Sequence, residues 1–147
     1  MKICMIGTGY VGLVSGACFA DLGNIVYCVD KDKKKISMLN QGEIPIYEPG
    51  LNELVKKNYL SERLKFTTDF SKAVKSSDVI FICVGTPTSK SNKSANLQYV
   101  YNAAKEIRKS INKFKIIVTK STVPVATGDK IEKIILKSKK KKLFEVV

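Results

Sequence analysis

Short apolar runs alternate with longer stretches in which apolar positions recur every three or four residues, and this alternation continues from the first residues to about residue 120. Lys2–Ile6 and Ile25–Val29 are compact and apolar, as buried strands are. Between them, about residues 11–22 read as a helix that stops at Gly23, a natural C-terminal cap. A helix over Lys33–Asn40 follows. The next segment carries Pro45, Pro49 and Gly50, too much punctuation for regular structure, and leads to a short helix at about 51–58. Leu64–Thr67 reads as a short strand, 70–75 as a helical turn, and 79–84 as a near-continuous apolar run suited to a central strand buried on both faces. The polar stretch 89–96 reads as an exposed loop. Val100, Ala104, Ile107 and Ile111 then recur at helical spacing and make one buried face. Lys115–Thr119 is the next strand and 129–137 the next helix, with Asp129 in its first turn and Ile131, Ile134 and Ile135 turned inward. Residues 143–147 begin one more strand, and a chain ending there reads as part of a larger protein. Strands alternating with helices imply parallel pairing through crossover helices, in a single domain. There is no internal repeat.

Composition narrows the classes. With 44% hydrophobic and 27% charged residues the chain has the make-up of a soluble globular domain. No apolar run approaches the roughly 18 residues of a membrane span. The N-terminal run is broken at once by Gly7, unlike a secretory signal, so the expectation is a cytoplasmic protein with no membrane partner. The net charge of +13 is almost wholly lysine. Only Arg63 and Arg108 are arginines and the lysines are dispersed, which argues against nucleic acid as a partner. The one dense run, 137–142, reads as a solvated helix end and turn. Cys4, Cys18, Cys28 and Cys83 lie in apolar segments without Cys-x-x-Cys spacing, and the chain has no histidine. They read as small core residues, with no metal site among them and no histidine base or triad to be built.

Chemistry gathers at the first strand–helix junction. Gly7-Thr8-Gly9-Tyr10-Val11-Gly12 is a G-x-G-x-x-G between strand and helix. Gly7 permits a tight turn, Gly9 lets backbone approach a pyrophosphate and Gly12 lets helix and strand pack closely. The helix N-terminus meanwhile offers N–H groups to phosphate. Asp30 closes the second strand, where the acid that hydrogen-bonds the adenosine ribose is expected. A 2′-phosphate beside that carboxylate would meet like charge, so NAD is favoured over NADP, although Lys31, Lys33, Lys34 and Lys35 soften the repulsion. The fold expected is α/β, a Rossmann-type doubly wound, mostly parallel sheet with helices on both faces. In such sheets ligands bind outside the carboxyl ends of the strands. Those ends carry Gly7, Asp30, Gly85-Thr86-Pro87 and Ser121-Thr122-Val123-Pro124, whereas the opposite ends show only ordinary lysines, serines and asparagines. Turn formation alone accounts for Gly85, Pro87 and Pro124, but not for hydroxyls at both Thr86 and Thr122.

GTGYVGL at residues 7–13, VDKD at 29–32, PIYEPGL at 45–51, VGTPT at 84–88 and KSTVP at 120–124 together resemble the UDP-glucose and GDP-mannose dehydrogenase family over essentially the whole chain. Within it the wording is closer to the UDP-glucose members. The resemblance implies an NAD-dependent oxidation of a nucleotide-sugar C6 alcohol to a carboxylate, UDP-glucose being the expected substrate, by two hydride transfers and a cysteine thioester. It assigns the pyrophosphate to Gly7, Thr8, Gly9, Tyr10, Val11 and Gly12, the adenosine ribose to Asp30 and Lys35, and a stretch along the cofactor to Gly85 and Thr86. Thr122 would stand beside the nicotinamide as a supporting catalytic residue that holds a water, with strand-end hydrogen bonding as its plainer explanation. The nucleophilic cysteine, the central helix and the nucleotide-sugar domain would lie outside this chain, in a homo-oligomeric parent enzyme. Ala126 stands where the family usually has glycine, which bears on how the last helix begins. Asn96 replaces a frequent aspartate but still caps a helix well. Two readings stay open: a cofactor domain that does not turn over alone, or a stand-alone, non-catalytic NAD-binding or interaction module.

Overall fold

A computed structural model of the chain describes residues 1–89, 94–137 and 143–147. The described strands are β1 (Lys2–Ile6), β2 (Ile25–Val29), β3 (Leu64–Thr67), β4 (Val79–Ile82), β5 (Lys115–Thr119) and β6 (Phe144–Val146). The helices are α1 (Tyr10–Asp21), α2 (Lys33–Asn40), α3 (Leu51–Leu60), α4 (Phe70–Ser76), α5 (Gln98–Ser110) and α6 (Thr127–Leu136). One sheet runs in the order β3-β2-β1-β4-β5-β6. All five of its pairings are parallel, so no antiparallel strand joins it among the described residues.

The strand pleat divides the interior into two cores. Ile3 and Met5 of β1 face a cluster with Leu13, Ala17 and Ala20 of α1, Ile36 and Leu39 of α2, and Leu51 and Val55 of α3. Cys4 and Ile6 face the other, with Ala73 and Val74 of α4, Val100, Ala104 and Ile107 of α5, and Ile131 and Ile135 of α6. Right-handed crossovers explain the division. From β1 the chain winds one way to β2 and β3, and from β4 it winds the opposite way to β5 and β6, which puts the two sets of helices on opposite faces. A consequence is that the face carrying α1–α3 is bare over β5, where Ile116 is 39% exposed.

Helix boundaries follow local chemistry. Asp32 caps α2 by accepting from the amides of Lys34 and Lys35 at 3.0 and 3.1 Å. Gly23 ends α1 with φ of 89°, as a left-handed stop. Asn96, two positions before α5 opens at Gln98, accepts from the Gln98 amide at 3.0 Å. Within the polar stretch before α5, Thr88 and Ala95 form an antiparallel bridge, so the stretch is not plain loop where it is described. Residues 90–93 of that stretch and 138–142 of the lysine run lie outside the described residues.

Two expectations are corrected. Cys18 is exposed. The inward stripe of α1 runs through Leu13, Ala17 and Ala20, and a one-residue step of about 100° from Ala17 turns Cys18 to solvent. The strand N-termini are also less ordinary than their residues suggest, because Lys115 is fully buried at the start of β5. Its ammonium donates to the carbonyls of Ser77 at 2.5 Å and Lys75 at 3.3 Å, closing the end of α4. Burial and the charge of Lys113 push its pKa below the ordinary lysine value, against the pull of Asp78 and Cys4.

Candidate cofactor cleft

A cleft of about 520 Å³ opens over the carboxyl ends of β1, β2 and β4, where the winding direction of the sheet reverses. Crevices at such switch points are where doubly wound sheets take their ligands, and the volume lies in the range of small-molecule sites. Its walls include Gly7, Thr8, Gly9, Asp30, Lys35 and Gly85.

The turn after β1 is set by close backbone approach. Gly7 has φ of 103°, and a Cβ there would stand 2.7 Å from the Cys83 carbonyl. A Cβ on Gly12 would stand 1.9 Å from the Gly7 carbonyl, so α1 can begin this near β1 only if that residue is glycine. Gly9 precedes α1, and no side-chain hydrogen bond caps its first turn. The first amides of α1 therefore keep donor capacity toward an anion. Above Gly9 nothing lies within 4 Å of a built Cβ, which leaves the room a pyrophosphate needs.

Asp30 fastens this turn to β2. Its Oδ2 accepts from the Thr8 amide at 2.9 Å and from the Thr8 hydroxyl at 2.8 Å, and its Oδ1 accepts from the Asp32 amide at 3.1 Å. Lys35 pairs with Oδ2 at 3.6 Å. Burial acts to raise the Asp30 pKa, but the Thr8 and Asp32 hydrogen bonds and the Lys35 charge outweigh it and hold the carboxyl below its ordinary value. An ionised carboxylate has about four acceptor sites, and Oδ1 keeps capacity for a ribose hydroxyl.

Tyr10, Val11 and Gly12 form the first turn of α1 and are not among the residues that line the cleft. Tyr10 also donates its hydroxyl to the Tyr47 carbonyl at 3.3 Å, tying the PIYEPGL segment to the glycine turn. Thr86 is half-buried just beyond Gly85, and Thr122 is exposed in the loop after β5; neither lines the cleft. Those two loops are nonetheless held together. The Ser121 hydroxyl donates to the Val84 carbonyl at 2.7 Å, and the Lys120 and Ser121 amides both donate to the Ile82 carbonyl at 3.0 Å.

Sequence reasoning missed one wall. Tyr99, Asn102, Ala103 and Glu106 of α5 line the cleft beyond Asp30, facing Thr68 and Phe70. Their spacing forms a second stripe beside the buried face of α5, a signal the sequence did carry. Cys83 also reaches the cleft, but burial pushes its thiol up to about 12 despite nearby Lys120, so it stays a thiol at neutral pH. Cys4 and Cys28 are raised further, chiefly by burial. Among the described residues no group of His, Cys, Asp or Glu is placed to hold a metal ion. No described helix is long and apolar enough to cross a membrane.

Sheet order, the glycine turn and an acid at the end of β2 have the form of a dinucleotide-binding α/β domain. The family model for the NAD binding domain of the UDP-glucose/GDP-mannose dehydrogenase family matches residues 1–147, and the chain belongs to that family. It is 60% identical over 135 residues to the UDP-glucose 6-dehydrogenase of Rhizobium meliloti (strain 1021), covering 92% of this chain and 31% of that protein. It is 55% identical over 147 residues to the UDP-glucose 6-dehydrogenase TuaD of Bacillus subtilis (strain 168), covering 99% of this chain and 32% of that one. Among solved structures, a ternary complex of GDP-mannose dehydrogenase from Pseudomonas aeruginosa superposes with a TM-score of 0.94 at 40% identity, over 99% of this chain and 35% of that one. A UDP-glucose dehydrogenase from Pyrobaculum islandicum gives 0.92 at 34% identity, over 99% and 34%. The chain thus spans about a third of the length of the relatives it matches.

Proposed function

We propose that this domain holds NAD for a UDP-glucose 6-dehydrogenase, in which UDP-glucose, two NAD and water give UDP-glucuronate and two NADH. The observation that carries the choice of sugar is the 60% and 55% identity to UDP-glucose 6-dehydrogenases across nearly all of this chain. Against it stands the 40% identity to a GDP-mannose dehydrogenase whose fold is as similar. When bound, NAD supplies the hydride acceptor.

The residues present fit that group. Gly7, Thr8 and Gly9 with the first amides of α1 take the pyrophosphate, which explains why no side-chain cap occupies that helix end. Asp30 accepts from the adenosine ribose hydroxyls while Lys35 balances its charge. Gly85, in the cleft wall, and Thr86, just beyond it, would border the middle of the cofactor. Thr122, in the loop that Ser121 ties to the Val84 carbonyl, would hold a water toward the nicotinamide end, although it does not itself line the cleft. Residues 1–147 are the cofactor domain; the nucleophilic cysteine, the central helix and the nucleotide-sugar domain belong to the remainder of a homo-oligomeric, cytoplasmic parent enzyme. The parent enzyme should reduce NAD with UDP-glucose and far more slowly with GDP-mannose, followed as NADH absorbance. Equal or reversed preference would overturn the sugar assignment.

A further inference from the structure

The cleft continues past the ribose-side acid, and what closes it there is not a generic apolar wall. A dinucleotide laid out with its pyrophosphate at Gly9 and a ribose at Asp30 sends the purine base past Asp30, toward lining residues that include Thr68, Phe70, Lys31, Tyr99 and Ala103. Lys31 follows Asp30 directly, on the β2 side. Tyr99 is the second residue of α5, on the β4 side. The Lys31 ammonium stands 4.8 Å from the centroid of the Tyr99 ring. One side chain from each bank of the cleft therefore meets the other across its outer edge.

Both banks are fixed independently of any ligand. The α2 cap sets the backbone just after Lys31, through the Asp32 carboxylate. The chain entering α5 is held at Asn96, whose side chain accepts from the Gln98 amide at 3.0 Å and whose own amide donates to the Pro87 carbonyl at 2.8 Å. A lysine over a tyrosine face is attractive, and the attraction grows as water is excluded from it. A base lodged behind the pair does exclude that water.

We propose that Lys31 and Tyr99 form a cation–π clasp over the adenine subsite, a base-holding element that acts on the adenosine half of the cofactor. This rests on the reading of the cleft as an NAD site. Loss of the ring or of the charge lets water reach the base and weakens binding, whereas a change that keeps the aromatic face or the charge does not. Because the contact is shared, the two residues act as one unit, and losing both costs little more than losing either.

Calorimetric titration of the chain with NAD and with ADP tests this, ADP carrying the adenosine half alone. Wild type should bind both. Tyr99→Ala and Lys31→Met should each weaken both ligands by about 3- to 10-fold, the range of a partly desolvated cation–π contact. The double variant should be little worse than either single one, and Tyr99→Phe and Lys31→Arg should bind as wild type does. Melting temperatures of the single variants should match wild type, since both side chains are exposed, which separates a binding role from a structural one. Unchanged ADP affinity in Tyr99→Ala, or additive losses in the double variant, overturns the clasp while leaving the NAD reading intact. A wild-type chain that binds neither NAD nor ADP overturns the NAD reading and the clasp with it.

Discussion

At Asp30 the carboxylate that faces the cleft is also what anchors the glycine turn, because one oxygen accepts both Thr8 donors. Removing it should therefore show in affinity and in stability. Asp30→Ala is expected to weaken NAD binding by about 1 to 3 kcal/mol, the scale of a charged hydrogen bond, and to narrow the preference against NADP. Calorimetry finding both cofactors bound as before would refute the ribose role. The pH dependence follows from the lowered carboxyl pKa. A depressed acid contributes stability above its unfolded value, about pH 3.9, and that contribution is lost as pH falls through the folded value. Thermal melts from about pH 6 to about pH 3 should then show a shallower acid decline in Asp30→Asn than in wild type; parallel curves would contradict the linkage. Ala126 makes a second residue-scale case. It holds φ of 65° just before α6, in the left-handed region that suits glycine. Strain of about 1 to 2 kcal/mol is partly offset by the greater unfolded-state freedom of glycine, so Ala126→Gly should gain up to about 1 kcal/mol. Urea unfolding with an unchanged slope and a higher midpoint is the expected result; a lower midpoint would mean the alanine is not strained.

At the scale of elements, α1 depends on a backbone contact. Alanine favours a helix over glycine by about 1 kcal/mol, yet at Gly12 the added carbon would fall 1.9 Å from a carbonyl oxygen that cannot move without breaking the turn. Steric overlap should win. Gly12→Ala is expected to lose about 1 to 3 kcal/mol of stability, as core overpacking does, whereas Gly85→Ala, with nothing within 4 Å of its Cβ, should melt as wild type does. Equal melting of the two variants would show that α1 can shift. Elements of this kind were legible in the chain because their signals are local. Gly23, Asp129 and the three- or four-residue recurrence of Val100, Ala104 and Ile107 each mark an end or a face without reference to distant residues. What escaped depends on packing. The burial of Lys115 needs carbonyls from Lys75 and Ser77 at the far end of α4, and nothing near Lys115 in sequence announces them. Cys18 looks like core in composition, yet its place around the helix turns it outward. The α5 wall of the cleft needs α5 to lie opposite the end of β2, which follows only once the order β2-β1-β4 is known.

The molecule as a whole carries more apolar surface than its helices cover. Ile116 is 39% and Phe114 is 59% exposed on and beside β5, where right-handed winding places no described helix on that face, and Phe81 meets Phe19 there, 5.2 Å away between ring centroids. A net charge of +13 opposes close approach of two copies, but salt screens that repulsion within about 8 Å at physiological strength and leaves apolar attraction unchanged. The chain by itself should therefore associate more as salt is raised, and Ile116→Lys should reduce that association, as measured by sedimentation velocity. It should also bind NAD without oxidising UDP-glucose. The cleft, the glycine turn and Asp30, which are proposed to hold the cofactor, all lie within residues 1–147. Chemistry needs a base to accept the alcohol proton and a nucleophile to carry the acyl group. The chain has no histidine, and Cys4, Cys28 and Cys83 are buried with raised pKa values. Exposed Cys18 lies toward the end of α1 remote from the glycine turn. Incubation of the purified chain with NAD and UDP-glucose should leave NADH absorbance flat while calorimetry registers NAD; sustained NADH formation that survives further purification would show that these residues hold a catalytic group unrecognised in this cleft.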